Sequence, residues 1–186
     1  MDQLILLKLD AFELNRDLLH FSAWHILDWI DERLRWSRGD IDGLQHMLLP
    51  PKDIWLPDIS LLNALDSFSP AKQPGFPVRA QWDGRLTCSI PSRVSAHCER
   101  STDRTRRVEV WQQCQLILGS WSYGADELRL RPLPALDAAL DLSLFTQSQC
   151  WQYRSHGVRQ EVGTYPHQAQ RLDMLTYTFN LSNVCD

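Results

Sequence analysis

The sequence predicts an all-β fold, a β-sandwich within one domain spanning residues 1–186, and three observations point to it. First, apolar and polar residues alternate strictly in Leu175-Thr176-Tyr177-Thr178-Phe179-Asn180-Leu181, the period of a strand with one buried face. Second, turn residues recur at short intervals, at Asp83-Gly84, Gly119, Gly124, Pro132, Pro134, Gly163 and Pro166, and many short strands so spaced suggest a sandwich. Third, 186 residues of which 44% are hydrophobic and 23% charged suffice for a single globular core and exclude a disordered or collagen-like chain.

Taken in order, Ile5, Leu7 and Leu9 form one face of an N-terminal strand. Phe21 to Trp36 is ambiguous. Leu27, Ile30 and Leu34 fit helical spacing and the stretch lacks Gly and Pro, so periodicity leaves helix and strand both open. Pro70 to Pro77 reads as a loop. Residues 99 to 107 form a polar, mostly basic run whose plain reading is a solvated loop. Arg107-Val108-Glu109-Val110-Trp111 and Leu128-Arg129-Leu130-Arg131 alternate as strands do. No internal repeat or domain linker interrupts the chain.

Composition also narrows function. A net charge of -4 argues against a nucleic-acid partner, and the chain has no apolar run long enough to span a membrane as a helix. No nucleophile elbow, dinucleotide fingerprint or phosphate loop is present, so the chain reads as no enzyme, with no cofactor. The six histidines are scattered without ligand spacing, and no metal is expected. The five cysteines, Cys88, Cys98, Cys114, Cys150 and Cys185, form no C-x-x-C pair, and their odd number leaves at least one thiol free or bridging chains. With the sequon Asn180-Leu181-Ser182, they tilt the reading toward an extracellular, glycosylated protein. The start lacks a basic region and cleavage site, as expected of a mature or truncated form. The eight tryptophans could build a core or an aromatic site for a cation.

Three segments resolve that choice. They are Trp24-His-Ile-Leu-Asp-Trp29-Ile-Asp31-Glu-Arg-Leu34-Arg-Trp36, then Ile54-Trp55-Leu56-Pro57-Asp58-Ile-Ser-Leu-Leu62-Asn63, then Cys98 followed after fifteen residues by Cys114-Gln-Leu-Ile-Leu-Gly119-Ser-Trp121-Ser-Tyr123-Gly124. In this order the chain closely resembles the extracellular domain of Cys-loop receptors, nicotinic acetylcholine receptors and soluble acetylcholine-binding proteins above all, over about residues 3 to 182. The resemblance implies a twisted, immunoglobulin-like β-sandwich of about ten strands, assembled as a homopentameric ring. It implies strand for Phe21 to Trp36, a Cys98–Cys114 disulfide, and a chain that lacks the family's N-terminal helix.

In that family a cationic amine sits between subunits over converging ring faces. By resemblance Trp121 is the central tryptophan, with Tyr123 beside it, and Trp24 is the complementary one. Tyr165 is the first tyrosine of a capping hairpin. The departures are His167 and Gln168 where adjacent cysteines stand, Leu172 for the second hairpin tyrosine, and Leu62 for the tyrosine after the W-x-P-D element. Arg79, Cys88 and Ile90 fall on complementary positions that line the pocket. With Leu62 and Leu172 in place of rings, the expected pocket is more apolar and its amine binding weak or altered. Trp29, Trp36 and Trp55 match framework positions, Trp151 starts the hairpin, and Trp82 and Trp111 have no match.

The loop between Cys98 and Cys114 has no Phe or Pro, which suits water better than a channel interface. The expectation is therefore a secreted, soluble ligand-binding pentamer taking a small cationic or aromatic ligand. The competing readings are a ligand-less interaction pentamer and a receptor's extracellular domain. Cys150 and Cys185 flank the hairpin tip near Gln168 at 18 and 17 residues, which predicts a second disulfide across antiparallel strands and leaves Cys88 as the free thiol.

Overall fold

A computed structural model describes residues 2–13, 17–63, 75–100, 111–132, 140–141, 150–164 and 170–183. Its strands are β1 (Asp2–Glu13), β2 (Leu18–Ile30), β3 (His46–Leu49), β4 (Ile59–Leu61), β5 (Val78–Gln81), β6 (Arg85–Arg100), β7 (Trp111–Ser120), β8 (Leu140–Asp141), β9 (Trp151–Thr164) and β10 (Arg171–Asn183). The only helical pieces among the described residues are two single 3-10 turns, Glu32–Leu34 and Pro51–Asp53. The ambiguous stretch is thus strand as far as Ile30, and its last residues form the first of those turns, where Asp31 accepts the backbone N–H of Arg33.

Hydrogen bonding runs β8-β1-β2-β6-β7-β10-β9, with β5 and β3 added beside β6, and β4 beside the end of β7. Strand β6 belongs to both layers. Its residues Arg85 to His97 pair antiparallel with β2, and Cys98 to Arg100 pair with β7. The single ladder therefore folds over into two layers, one built on β2 and β6 and the other on β7, β9 and β10.

Alternation explains what lies between them. Leu19, Phe21, Ala23 and Leu27 of β2, Leu86, Cys88, Ile90, Val94 and Ala96 of β6, Leu116 and Leu118 of β7, and Leu175, Tyr177, Phe179 and Leu181 of β10 form one buried cluster. Phe21 and Phe179 meet edge to face across the layers, with ring centroids 6.1 Å apart, a favoured aromatic geometry.

Some turn and strand expectations are corrected. Gly119 lies inside β7 and Gly163 inside β9. At Gly119 the reason is close approach, since a Cβ there would stand 2.8 Å from Leu62 Cδ1. Leu128 to Arg131 joins no ladder. Its alternation instead buries Leu130, whose N–H donates to the Asp173 carboxylate at 3.0 Å. Gly84 does close the β5–β6 turn, at φ 83°, a conformation that favours glycine. Pro134, Pro166, most of the 99–107 run and all of 107–111 except Trp111 lie outside the described residues.

Cys98 and Cys114 are direct register partners and form a disulfide with Cα atoms 4.2 Å apart. Cys150 is also disulfide-bonded, while its expected partner, Cys185, lies outside the described residues. Cys88 is free and buried, and burial raises its thiol pKa above the ordinary value. Little reactive thiolate then exists near neutral pH. Native protein is expected to react slowly with a thiol reagent, and unreduced protein in denaturant to release one thiol per chain. A count of three would show that Cys150 and Cys185 are not bridged.

Candidate functional site

The site is organised around Asp58, the acidic residue of the W-x-P-D element. Its carboxylate accepts the hydroxyl of Ser120 and, at 2.9 Å, the N–H of Ser122. Ser120 Oγ in turn accepts the N–H of Tyr123 at 2.9 Å. Asn63 extends the same seam, donating to the Gln115 carbonyl and accepting the Ile117 N–H at 2.9 Å. The segment from Asp58 to Asn63 is thereby fastened along the edge of β7, and the turn carrying Trp121 is held from both sides. Sequence reasoning quoted Asp58 within a motif but assigned it no role. What matters is a carboxylate facing bare turn amides, which need acceptors.

Trp121 is 47% exposed and Trp24 40% exposed, the two most exposed indoles among the described residues. They belong to different layers, Trp24 to β2 and Trp121 to the turn after β7. Tyr123 does not stand open beside Trp121. Its hydroxyl accepts the indole N–H of Trp55 at 2.9 Å, and the two rings meet edge to face. Trp55 also packs edge to face on Trp29, with centroids 6.4 Å apart, so the framework tryptophans brace the turn. Trp36 donates to the Leu44 carbonyl, and Arg38 lies over the Trp82 ring at 4.4 Å, giving the unmatched Trp82 a cation–π contact.

The leucines expected as pocket walls are buried and pack together. Leu62 is 7% and Leu172 0% exposed, and with Met174 they form a small cluster of their own, covered in part by Ile117. Two aliphatic side chains that fit each other leave the surface together, where tyrosines would have kept hydroxyls in water.

Cys88 and Ile90, expected on the complementary side, point inward. Both are buried on the core side of β6. In the β2–β6 register Trp24 opposes Pro91 and Asp28 opposes Thr87, so the face carrying Trp24 carries Thr87, Ser89 and Pro91 of β6. Directly paired residues share a face, and a shift of one residue reverses every side chain. Arg79, opposite Thr87, is exposed on that same face. Thr87 and Ser89 were missed, though counting in twos from Trp24 through a known register would have found them. Asp28, also on this face, accepts both oxygens' worth of hydrogen bonds from Arg85 at 3.0 and 2.8 Å, and this pairing raises the Arg85 pKa further. Nearby, the Arg33 guanidinium holds the Asp31 carboxyl below its ordinary pKa.

The sequon falls in a strand. Asn180 lies inside β10, paired to β7 and β9 on either side, and donates to Ser155 Oγ at 2.8 Å, while Ser182 is fully buried. A glycan acceptor belongs in a surface loop. Tyr165, His167 and Gln168, the expected hairpin-tip residues, lie outside the described residues.

Comparison with known proteins agrees with this architecture. Residues 3–183 match the model of the neurotransmitter-gated ion-channel ligand binding domain. The neuronal acetylcholine receptor subunit alpha-9 of Gallus gallus is 28% identical over 180 residues, covering 96% of this chain and 36% of that protein. The human neuronal acetylcholine receptor subunit alpha-10 is 28% identical, covering 93% of the chain and 37% of that protein. The acetylcholine receptor subunit epsilon of Bos taurus is 32% identical over 113 residues, covering 60% and 22%. The chain thus spans about a third of the length of the curated relatives it matches first. With the disulfide closing the loop after β6 and the braced Trp121 turn, the chain belongs to the neurotransmitter-gated ion-channel ligand binding domain family.

Proposed function

We propose that the chain is a ligand-binding subunit of the acetylcholine-binding type, acting without catalysis in a secreted homopentamer, with a modified cation site where two subunits meet. The observation that carries this reading is the pair of exposed indoles on opposite layers, Trp121 and Trp24. A site that uses both is completed when the turn of one chain meets the β2 face of the next. By resemblance Tyr165, His167 and Gln168 join the side of Trp121, while Arg79 of β5 and Thr87 and Ser89 of β6 lie on the face of Trp24. Each well-placed ring contributes up to ~2 kcal/mol to a desolvated cation. Burial of Leu62 and Leu172 against each other removes two expected walls, so binding of acetylcholine weakens by roughly a hundredfold or more relative to a full cage.

That same burial favours one second reading, a ring that has lost its ligand. A titration with acetylcholine, followed by tryptophan fluorescence, separates them. The expected result is a saturable change at millimolar concentration that Trp121→Ala weakens by about tenfold or more. Saturation at micromolar ligand overturns the altered cage, and a flat response favours the ligand-less ring. Native mass spectrometry tests the five-fold assembly independently.

A further inference from the structure

Strand β10 carries its apolar pair, Leu172 and Met174, toward Leu62. Alternation sends Arg171 and Asp173 to the other face of the hairpin, where they line an open cleft of about 640 Å³ with Ala125, Asp126, Arg129, Gln160 and Val162. The lining of this cleft shares no residue with the cation site proposed above.

Its frame is built by hydrogen bonds. The Ala125 N–H donates to the Arg171 carbonyl at 2.8 Å, which fastens the segment after Gly124 to the hairpin. Asp173, 4% exposed, accepts the Leu130 N–H at 3.0 Å and the Gln160 amide at 3.1 and 3.0 Å. These donors are neutral, so its negative charge is uncompensated by an ion pair among the described residues. Arg171 makes one long bond, to the Val162 carbonyl at 3.4 Å. Neither Arg171, Arg129 nor Asp126 is ion-paired within the described residues, although each borders the same cleft. Val162, 45% exposed, adds an apolar wall.

Two unpaired guanidinium groups suit a carboxylate, which they bind through forked, charge-assisted hydrogen bonds. Two carboxylates, one exposed and one buried, suit an ammonium group. A cleft of this volume is within the range that holds small organic ligands. We infer that the cleft behind the hairpin is a binding site for a small zwitterion, an α-amino acid with an apolar side chain. Its carboxylate meets Arg129 and Arg171, its ammonium meets Asp126 beside Asp173, and its side chain lies on Val162.

Isothermal titration of the intact protein with L-leucine tests this, with 4-methylpentanoate and 3-methylbutylamine as analogues that keep one charge each. L-leucine is expected to bind saturably, and each analogue about tenfold or more weakly. Arg129→Gln, Arg171→Gln and Asp126→Asn are each expected to lose a similar factor; all three side chains are exposed, and far-UV circular dichroism checks that the variants fold. Arg159→Gln, on the opposite face of β9, and Trp121→Ala are expected to leave leucine binding unchanged, which separates this cleft from the cation site. The absence of saturable leucine binding, equal binding of either analogue, or indifference to the Arg129 and Arg171 substitutions overturns the assignment.

Discussion

Phe179→Ala is expected to destabilise the protein by about 3–5 kcal/mol, the range for deleting a fully buried aromatic side chain. Phe179 has no exposed surface, and its ring meets Phe21 across the two layers. The substitution removes both the transferred apolar area and an edge-to-face pair that adds about 0.5–1.5 kcal/mol. It also leaves a cavity that β7 and β9, paired to β10 on either side, prevent from collapsing. Against a total stability of about 5–15 kcal/mol, this is a large fraction. Denaturant unfolding at fixed protein concentration reads the effect as a lowered midpoint with unchanged slope. Ile30→Ala provides the contrast, because Ile30 is 64% exposed and its loss is expected to cost within about 0.5 kcal/mol. Equal midpoints for the two variants would show that the layers do not pack through these rings.

Replacing Cys98 and Cys114 together by alanine is expected to cost about 3 kcal/mol, the entropic estimate for a loop of this length. Alanine is chosen because both positions are buried, where serine would bring hydroxyls needing partners. The location sharpens the expectation. The bond joins β6 to β7 at the point where β6 leaves one layer for the other, so it closes the chain around the layer crossing. Chemical reduction is a poorer test, because Cys150 is disulfide-bonded too and both bridges break. An unchanged midpoint for the double variant would show that tethering the unfolded chain at this point adds nothing to stability.

Much of the fold was legible because strand alternation is local. The run from Leu175 to Leu181 needs no knowledge of the rest of the chain to declare which side is buried, and β10 buries that side. The same signal misled at Leu128 to Arg131, where alternation reflects one leucine under Asp173 rather than a ladder. Glycine misled at Gly119 and Gly163 because a close neighbour, as well as a turn, calls for a residue without Cβ.

The sequence by itself determined the all-β class, the family, the Cys98–Cys114 pairing through its motif, and the choice of Trp24 and Trp121, two tryptophans that the structure leaves exposed. Tertiary structure decided which side chains face outward and which are buried. Whether Cys88 or Thr87 faces outward depends on parity in the β2–β6 register, and one residue of slip reverses the answer. Whether Leu62 and Leu172 are walls or core depends on a meeting of residues far apart in the chain. Likewise Asn180 has a sequon's spelling in any context, and only the pairing of β10 on both edges shows it to be interior to a sheet. Local patterns carry burial and turns because a few neighbouring residues set them. Facing and partnership are properties of the closed ladder, and no segment carries them alone.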